Sequence, residues 1–206
     1  MPKNFKNIRF LIYLVIVSII SVNYLIAEEK TKISGSIIFG KETAPIKIKV
    51  FSSLTCPHCA NFHINILPKI KEQFIDQGKV QLTHIDFPLD LAALNAGKLL
   101  HCIKDKDKQI KVLDKIYNSQ STWVSGTTIE EINENLINLF KNFNVDKNQL
   151  NTCLNDENIE EVILENRVKA HNNYKLNSTP TVIINEKKFE EDINFKNIEK
   201  TLKKLI

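Results

Sequence analysis

The sequence predicts an α/β fold in which a block of helices interrupts a sheet. Three observations carry that expectation. The alternating run Ile46-Lys47-Ile48-Lys49-Val50-Phe51 is followed by apolar residues at helical spacing, then by a second alternating run at 79–87. From about Leu89 to about Leu176 the apolar residues recur only at helical spacing. Strand character then returns at Thr181-Val182-Ile183-Ile184, ahead of a closing helix. Residues 28–88 and 177–206 are therefore expected to form one α/β domain, with 89–176 as a helical insertion. A chain of 206 residues, 43% hydrophobic and 25% charged, can bury a core of that size.

Residues 1–27 read as an export signal. Lys3, Lys6 and Arg9 precede an apolar run from Phe10 to Ile20 broken only by Ser18, and Ser21 to Ala27 extends it. Acidic residues begin at Glu28, so cleavage is expected after Ala27. The alternative is an uncleaved membrane anchor. The 18 residues from Phe10 to Ala27 are near the lower limit for crossing a bilayer, and Leu25 is bulkier than the residue cleavage favours there. Both readings put the rest of the chain outside the cytoplasm. The formal charge is +4; without the three basic residues of this segment, 28 basic side chains become 25 against 24 acidic, a net +1. No basic block and no basic-aromatic interleaving remains, which argues against a nucleic-acid partner.

Glu28 to Lys41 is a polar lead containing the β-prone Ile37-Ile38-Phe39, punctuated by Gly40 and Ala44-Pro45. Ile46 to Phe51 is the first strand, and Ser52-Ser53-Leu54-Thr55 the turn after it. Pro57 suits a first helical turn. Phe62, Ile66, Ile70 and Phe74 then give a helix to about Gln77, kinked at Pro68 and stopped at Gly78. Lys79 to Phe87 is a strand parallel to the first, because a helix joins them by a right-handed crossover. In the insertion, Leu91, Leu94, Leu99 and Ile103 mark one helix, and Ile110, Leu113 and Tyr117 a second. Thr127-Thr128 with Glu130-Glu131 starts a third, and Asp146 caps a fourth carrying Leu150 and Cys153. Glu157 to Tyr174 is the longest. Asn185-Glu186-Lys187 reads as a hairpin turn, Lys188-Phe189 as a short edge strand, and Asn194 to Ile206 as the closing helix.

The four cysteines are Cys56, Cys59, Cys102 and Cys153, and an even count in an exported chain points to disulfides. Cys56-Pro57-His58-Cys59 lies where strand gives way to helix. Thiol exchange needs a thiolate, and a helix start favours negative sulfur. Cys56 is the expected nucleophile and Cys59 the resolving thiol. Pro57 keeps the turn rigid, and His58 adds charge or a hydrogen bond that tunes the pair. A zinc site using Cys56, Cys59 and His58 or His63 is an alternative, as is a purely structural disulfide. Zinc sites usually show a second short-spaced ligand pair, whereas Cys102 and Cys153 are 51 positions apart. His63, His84, His101 and His171 read as structural or solvent-facing. Trp123, Tyr117 and Val124 read as packing residues ahead of the edge of a substrate groove.

The order of strand, Cys-x-x-Cys helix, strand, helical insertion, Thr-Pro, hairpin and helix resembles a thioredoxin-like fold with the inserted α-helical domain of the DsbA-like disulfide oxidoreductases. The resemblance rests on Cys56-Pro57-His58-Cys59, Phe51-Ser52-Ser53-Leu54-Thr55 before it, Asp86-Phe87-Pro88-Leu89, and Ser178-Thr179-Pro180-Thr181. It covers the chain from about Gly40 onward, and the two middle residues of the motif match the family's as well. The resemblance implies a protein disulfide oxidoreductase of the bacterial periplasm that needs no cofactor and no metal. Its expected partners are reduced or unfolded secreted proteins and a DsbB-type membrane reoxidase, and the expected state is a monomer. It implies a cis bond at Thr179-Pro180, in a loop that faces the cysteines and pairs with a substrate segment. The best-known oxidase of the family has Val before this proline, whereas Thr179 resembles the isomerase branch and many bacterial relatives. Isomerases of this kind usually carry an amino-terminal dimerisation domain, for which the fewer than 20 residues between Ala27 and the first strand are too few. Relatives with an extra bond imply a second, non-catalytic disulfide between Cys102 and Cys153; the alternative is two unpaired buried thiols.

Overall fold

The computed structural model describes residues 35–206. The expected export segment at 1–27 lies outside them. The strands are β1 (Ser36–Phe39), β2 (Ile46–Ser52), β3 (Val80–Asp86), β4 (Thr181–Ile184) and β5 (Lys187–Lys188). They form one sheet in the order β1-β3-β2-β4-β5. β2 and β3 are parallel, with Val50 beside His84 and Phe51 beside Ile85. The other pairings are antiparallel. β1 is a difference from the sequence reading: the lead Ile37-Ile38-Phe39 is an edge strand on β3. β5 begins one residue earlier than expected, at Lys187.

The period-2 pattern of β2 separates two faces. Ile46, Ile48 and Val50 enter the main core, which also takes Val80 and Leu82 of β3. Phe51 points to the other face and packs with Phe87, Ala170, Leu176 and Ile183 in a second cluster.

Residues 57–75 form one continuous helical run, α1, in four parts. Pro57–Asn61 and Leu67–Ile70 are α-helical, whereas Phe62–Ile66 and Lys71–Ile75 are π-helical. The expected irregularity at Pro68 takes this form. A proline cannot donate to the carbonyl four residues back, and a wider π turn absorbs the missing bond. Gly78 ends the run with φ +69°, a conformation that suits glycine.

Between β3 and β4 stand six helices: α2 (Leu91–His101), α3 (Lys106–Asn118), α4 (Gln120–Trp123), α5 (Ile129–Phe140), α6 (Lys147–Leu154) and α7 (Glu157–Tyr174). α8 (Phe195–Leu205) closes the chain. Their starts are written in the sequence. Asp90, Asp105, Thr128, Asp146, Asp156 and Asn194 each accept a first-turn N–H with the side chain. Each such cap is worth about 1 kcal/mol. The expected start at Thr127-Thr128 is a reciprocal cap, since Glu131 Oε2 accepts from both the N–H and the hydroxyl of Thr127. Trp123 is 1% exposed and donates its indole N–H to the Ile116 carbonyl at 2.9 Å, so it is a core residue. Among the described residues, no helix is long and apolar enough to cross a membrane.

Candidate active site

Cys56 stands where extended chain becomes helix. Its φ and ψ, −79° and 121°, are extended, and Pro57 takes the first helical position. Proline fits because its fixed φ is already helical and an N–H there would have no helical partner. The Cys56 carbonyl accepts the N–H groups of Cys59 and Ala60, both at 3.1 Å. Both thiols of the motif are free; Cys56 is half-buried and Cys59 is 1% exposed. His58 and Pro57 are exposed.

The two sulfurs differ in acidity. For Cys56, burial pushes the thiol up. The Thr179 side chain, the Cys59 and His58 backbone N–H groups and the Cys59 thiol together outweigh it, and the thiol lies below its ordinary value. For Cys59, burial dominates; Thr179 and the Ser53 backbone oppose it, the charge of Cys56 adds to it, and the thiol is pushed up to about 12. The Cys56 thiol thus ionises more readily than an ordinary cysteine, whereas burial holds Cys59 as a thiol.

The loop before β4 closes over the pair. The Thr179–Pro180 bond is cis, and the Thr179 carbonyl accepts the Cys56 S–H at 3.4 Å. The Thr179 hydroxyl is buried with no conventional hydrogen-bond partner, and its side chain favours the thiolate of both cysteines. Thr179→Val keeps the shape and removes the hydroxyl. The Cys56 thiol should then titrate higher, and its equilibrium with glutathione should shift toward the disulfide form by about tenfold, the worth of one hydrogen bond to a charged acceptor.

Two residues distant in sequence brace the reactive turn. The Asp90 carboxylate accepts the Thr55 hydroxyl at 2.6 Å while capping α2 through the Ala93 N–H at 2.7 Å. Gln120, at the start of α4, donates its side-chain amide to the carbonyls of Leu54 at 2.8 Å and Cys56 at 3.2 Å. Sequence reading passed over both, because a lone Asp or Gln carries no signal of what lies across the fold.

Below Cys59 the core holds a polar cluster that the sequence reading dispersed into separate structural histidines. His84 Nε2 is 3.1 Å from the Tyr117 hydroxyl, and His101 Nε2 is 2.6 Å from Asp86 Oδ2. His84 Nδ1 and Asp86 Oδ1 face each other at 3.9 Å, each without a hydrogen-bond partner. Gly97 makes room: a Cβ there would stand 3.1 Å from Asp86 Oδ2. His63, on α1, lies 2.7 Å from Asp114 and stacks on Tyr117 with ring centroids 4.8 Å apart. His171 sits apart, its Nδ1 2.8 Å from the Leu176 carbonyl.

Burial pushes His84 down to about 4; Asp86 opposes this, and His63 and His101 add to it. The unfolded chain therefore binds a proton near the ordinary value of 6.5 while the native state refuses it until about 4. Stability is intact above pH 6.5 and is lost as pH falls through that window, by about 3 kcal/mol for this group. His84→Gln should flatten that part of the profile in chemical denaturation series run from pH 7 to 4.5.

The remaining cysteines are elsewhere. Cys102, just past α2, and Cys153, in α6, are both buried and joined as a disulfide, with Cα atoms 6.0 Å apart. The structure thus gathers Cys56, Pro57, His58, Cys59, Thr179 and Pro180 at one place. Cys102 and Cys153 form a second, separate feature. Among the described residues, no group of three His, Cys, Asp or Glu side chains could hold a metal ion.

The family described as Thioredoxin matches residues 32–204. The probable disulfide bond formation protein D of Bacillus anthracis is 33% identical over 174 residues, which span 80% of this chain and 77% of that protein. This chain belongs to the DsbA-like thioredoxin-fold disulfide oxidoreductases. The crystal structure of Wolbachia pipientis alpha-DsbA1 superposes with a TM-score of 0.75 at 29% identity, over 82% of this chain and 90% of that one. Oxidised BdbD of Bacillus subtilis shares the fold, with a TM-score of 0.71 at 23% identity over 84% and 93% of the two chains. As a disulfide oxidoreductase of this type, the protein is an enzyme whose substrates are proteins. The helices placed between β3 and β4 are those of a DsbA-like fold.

Proposed function

We propose that the protein is an exported oxidase that passes a Cys56–Cys59 disulfide to reduced secreted proteins. The observation that carries the reading is the opposite tuning of the two sulfurs: a half-buried Cys56 held low and a buried Cys59 held at about 12. A client thiolate attacks Cys56 Sγ, the Cys56–Cys59 bond breaks, and Cys59 leaves and takes up a proton. A second client thiolate then attacks the client sulfur of the mixed disulfide and expels Cys56 as a thiolate. The client has lost two electrons and the enzyme dithiol has gained them. A low pKa on the leaving Cys56 makes that release fast. Pro57 and His58 complete the tuning, and a DsbB-type membrane partner restores the disulfide.

Leu89 and Leu91 support a client surface beside the sulfurs. They are 46% and 55% exposed and flank Asp90, whose carboxylate touches Thr55. The Thr179-Pro180 loop offers backbone on the other side. The protein acts as a monomer in the periplasm, its Cys102–Cys153 bond serving stability. Thr179 favours a second reading, isomerase or reductase activity on the same site. Paired assays separate the two: oxidation of a reduced, unfolded client and rescue of a scrambled one. The oxidase reading expects fast stoichiometric oxidation and slow rescue; fast rescue with little oxidation would overturn it.

A further inference from the structure

The carbonyls of Leu54 and Cys56 belong to the turn that carries the Cys56 sulfur, and one side chain holds both. Gln120 donates to Leu54 O at 2.8 Å and to Cys56 O at 3.2 Å, across 66 and 64 residues of sequence. A primary amide has two N–H bonds, so each carbonyl can take one. The Cys56 carbonyl already accepts two backbone N–H groups, and Gln120 adds a third donor. The residue stands on a fixed base. The Trp123 and Val124 N–H groups bond back to Ser119 and Gln120, and the indole of Trp123 anchors α4 to Ile116 of α3.

A carbonyl oxygen is the negative end of a dipole, and those of the turn that carries a thiolate oppose its charge. An amide hydrogen placed on each offsets that effect and prevents the turn from reorienting. We propose that Gln120 is a positioning residue for thiol exchange: by holding the Leu54 and Cys56 carbonyls it stabilises the Cys56 thiolate, so the inserted helices set the reactivity of the catalytic turn. The residue acts through the backbone and not by touching the sulfur. The inference rests on Cys56 being the attacking thiol, whichever direction of exchange the enzyme favours.

The test uses the full chain with three variants. Gln120→Met has similar length and no N–H. Gln120→Glu turns a carboxylate toward the same carbonyls. Gln120→His can still offer one ring N–H. Two readouts are taken: titration of the Cys56 thiolate by ultraviolet absorbance, and the equilibrium with glutathione. The Met variant should titrate higher and shift the equilibrium toward its disulfide form by about tenfold, roughly 30 mV less oxidising. Glu should shift both further in the same direction, and His should return part of the change. Unchanged titration and equilibrium in Met and Glu would overturn the proposal, including where thermal stability falls, since a merely structural bond would move only the latter. The reading of Cys56 as nucleophile fails separately, if Cys56→Ser retains exchange, because the titration shift is read on Cys56 itself.

Discussion

Cys56→Ser should abolish disulfide exchange, reducing turnover of a reduced client to the uncatalysed background. The reason is the division of labour between the sulfurs. Exchange proceeds through thiolate attack, and of the two free cysteines Cys56 is the one that combines access with a lowered pKa. Cys59 cannot substitute: it is 1% exposed and remains a thiol to about pH 12. The complementary variant should fail differently. Cys59→Ser leaves the attacking thiolate in place but removes the resolving one, so with a disulfide-bonded client it should accumulate a mixed disulfide between Cys56 and one client sulfur, the other client sulfur leaving as a thiol. Non-reducing gel analysis distinguishes the two outcomes. Retained turnover in Cys56→Ser would overturn the assignment of the site.

Replacing Cys102 and Cys153 together with alanine should lower stability by about 4 kcal/mol while leaving the thiolate titration of Cys56 where it is. The bond closes a loop of 51 residues, and the loop entropy it removes from the unfolded chain gives that magnitude. For a chain of this size the midpoint of thermal unfolding should fall by about 8–16 °C. The bond ties the end of α2 to α6. The contacts that brace the reactive turn come instead from Asp90, Gln120 and Thr179. A Cys56 titration that moved with the double replacement would show that the second disulfide also reaches the active site.

The sequence disclosed what adjacent residues determine. Two cysteines spaced by two, with a proline between them after an alternating strand, mark the candidate reactive turn because those residues touch in any fold that contains them. The helix caps Thr128 and Asp146 were legible for the same reason, since a cap binds an N–H two or three residues away. β1 was harder. Ile37-Ile38-Phe39 is β-prone, but four residues inside a polar lead are too few to separate a strand from extended chain. Its place on β3 comes from pairing across the sheet. α4 is also four residues long, too short for periodicity to register.

The polar side of the site was the least legible. His84 sits at an inward position of an alternating strand and reads alone as a structural or solvent-facing histidine. Its meaning comes from Tyr117, 33 residues on, and from Asp86, which is itself taken up by His101. Thr179 was visible through its proline, but the unpartnered state of its hydroxyl is a property of the folded loop. Gln120 is an ordinary amide in a polar stretch until the fold sets it against two carbonyls.

The redox potential of the Cys56–Cys59 couple, measured against glutathione, tests the central claim most directly. A stabilised Cys56 thiolate makes the reduced enzyme the favoured form and its disulfide a strong oxidant. The potential should lie well above that of thioredoxin, toward the value of about −120 mV of the strongly oxidising DsbA. A value near about −270 mV, that of thioredoxin itself, would contradict it.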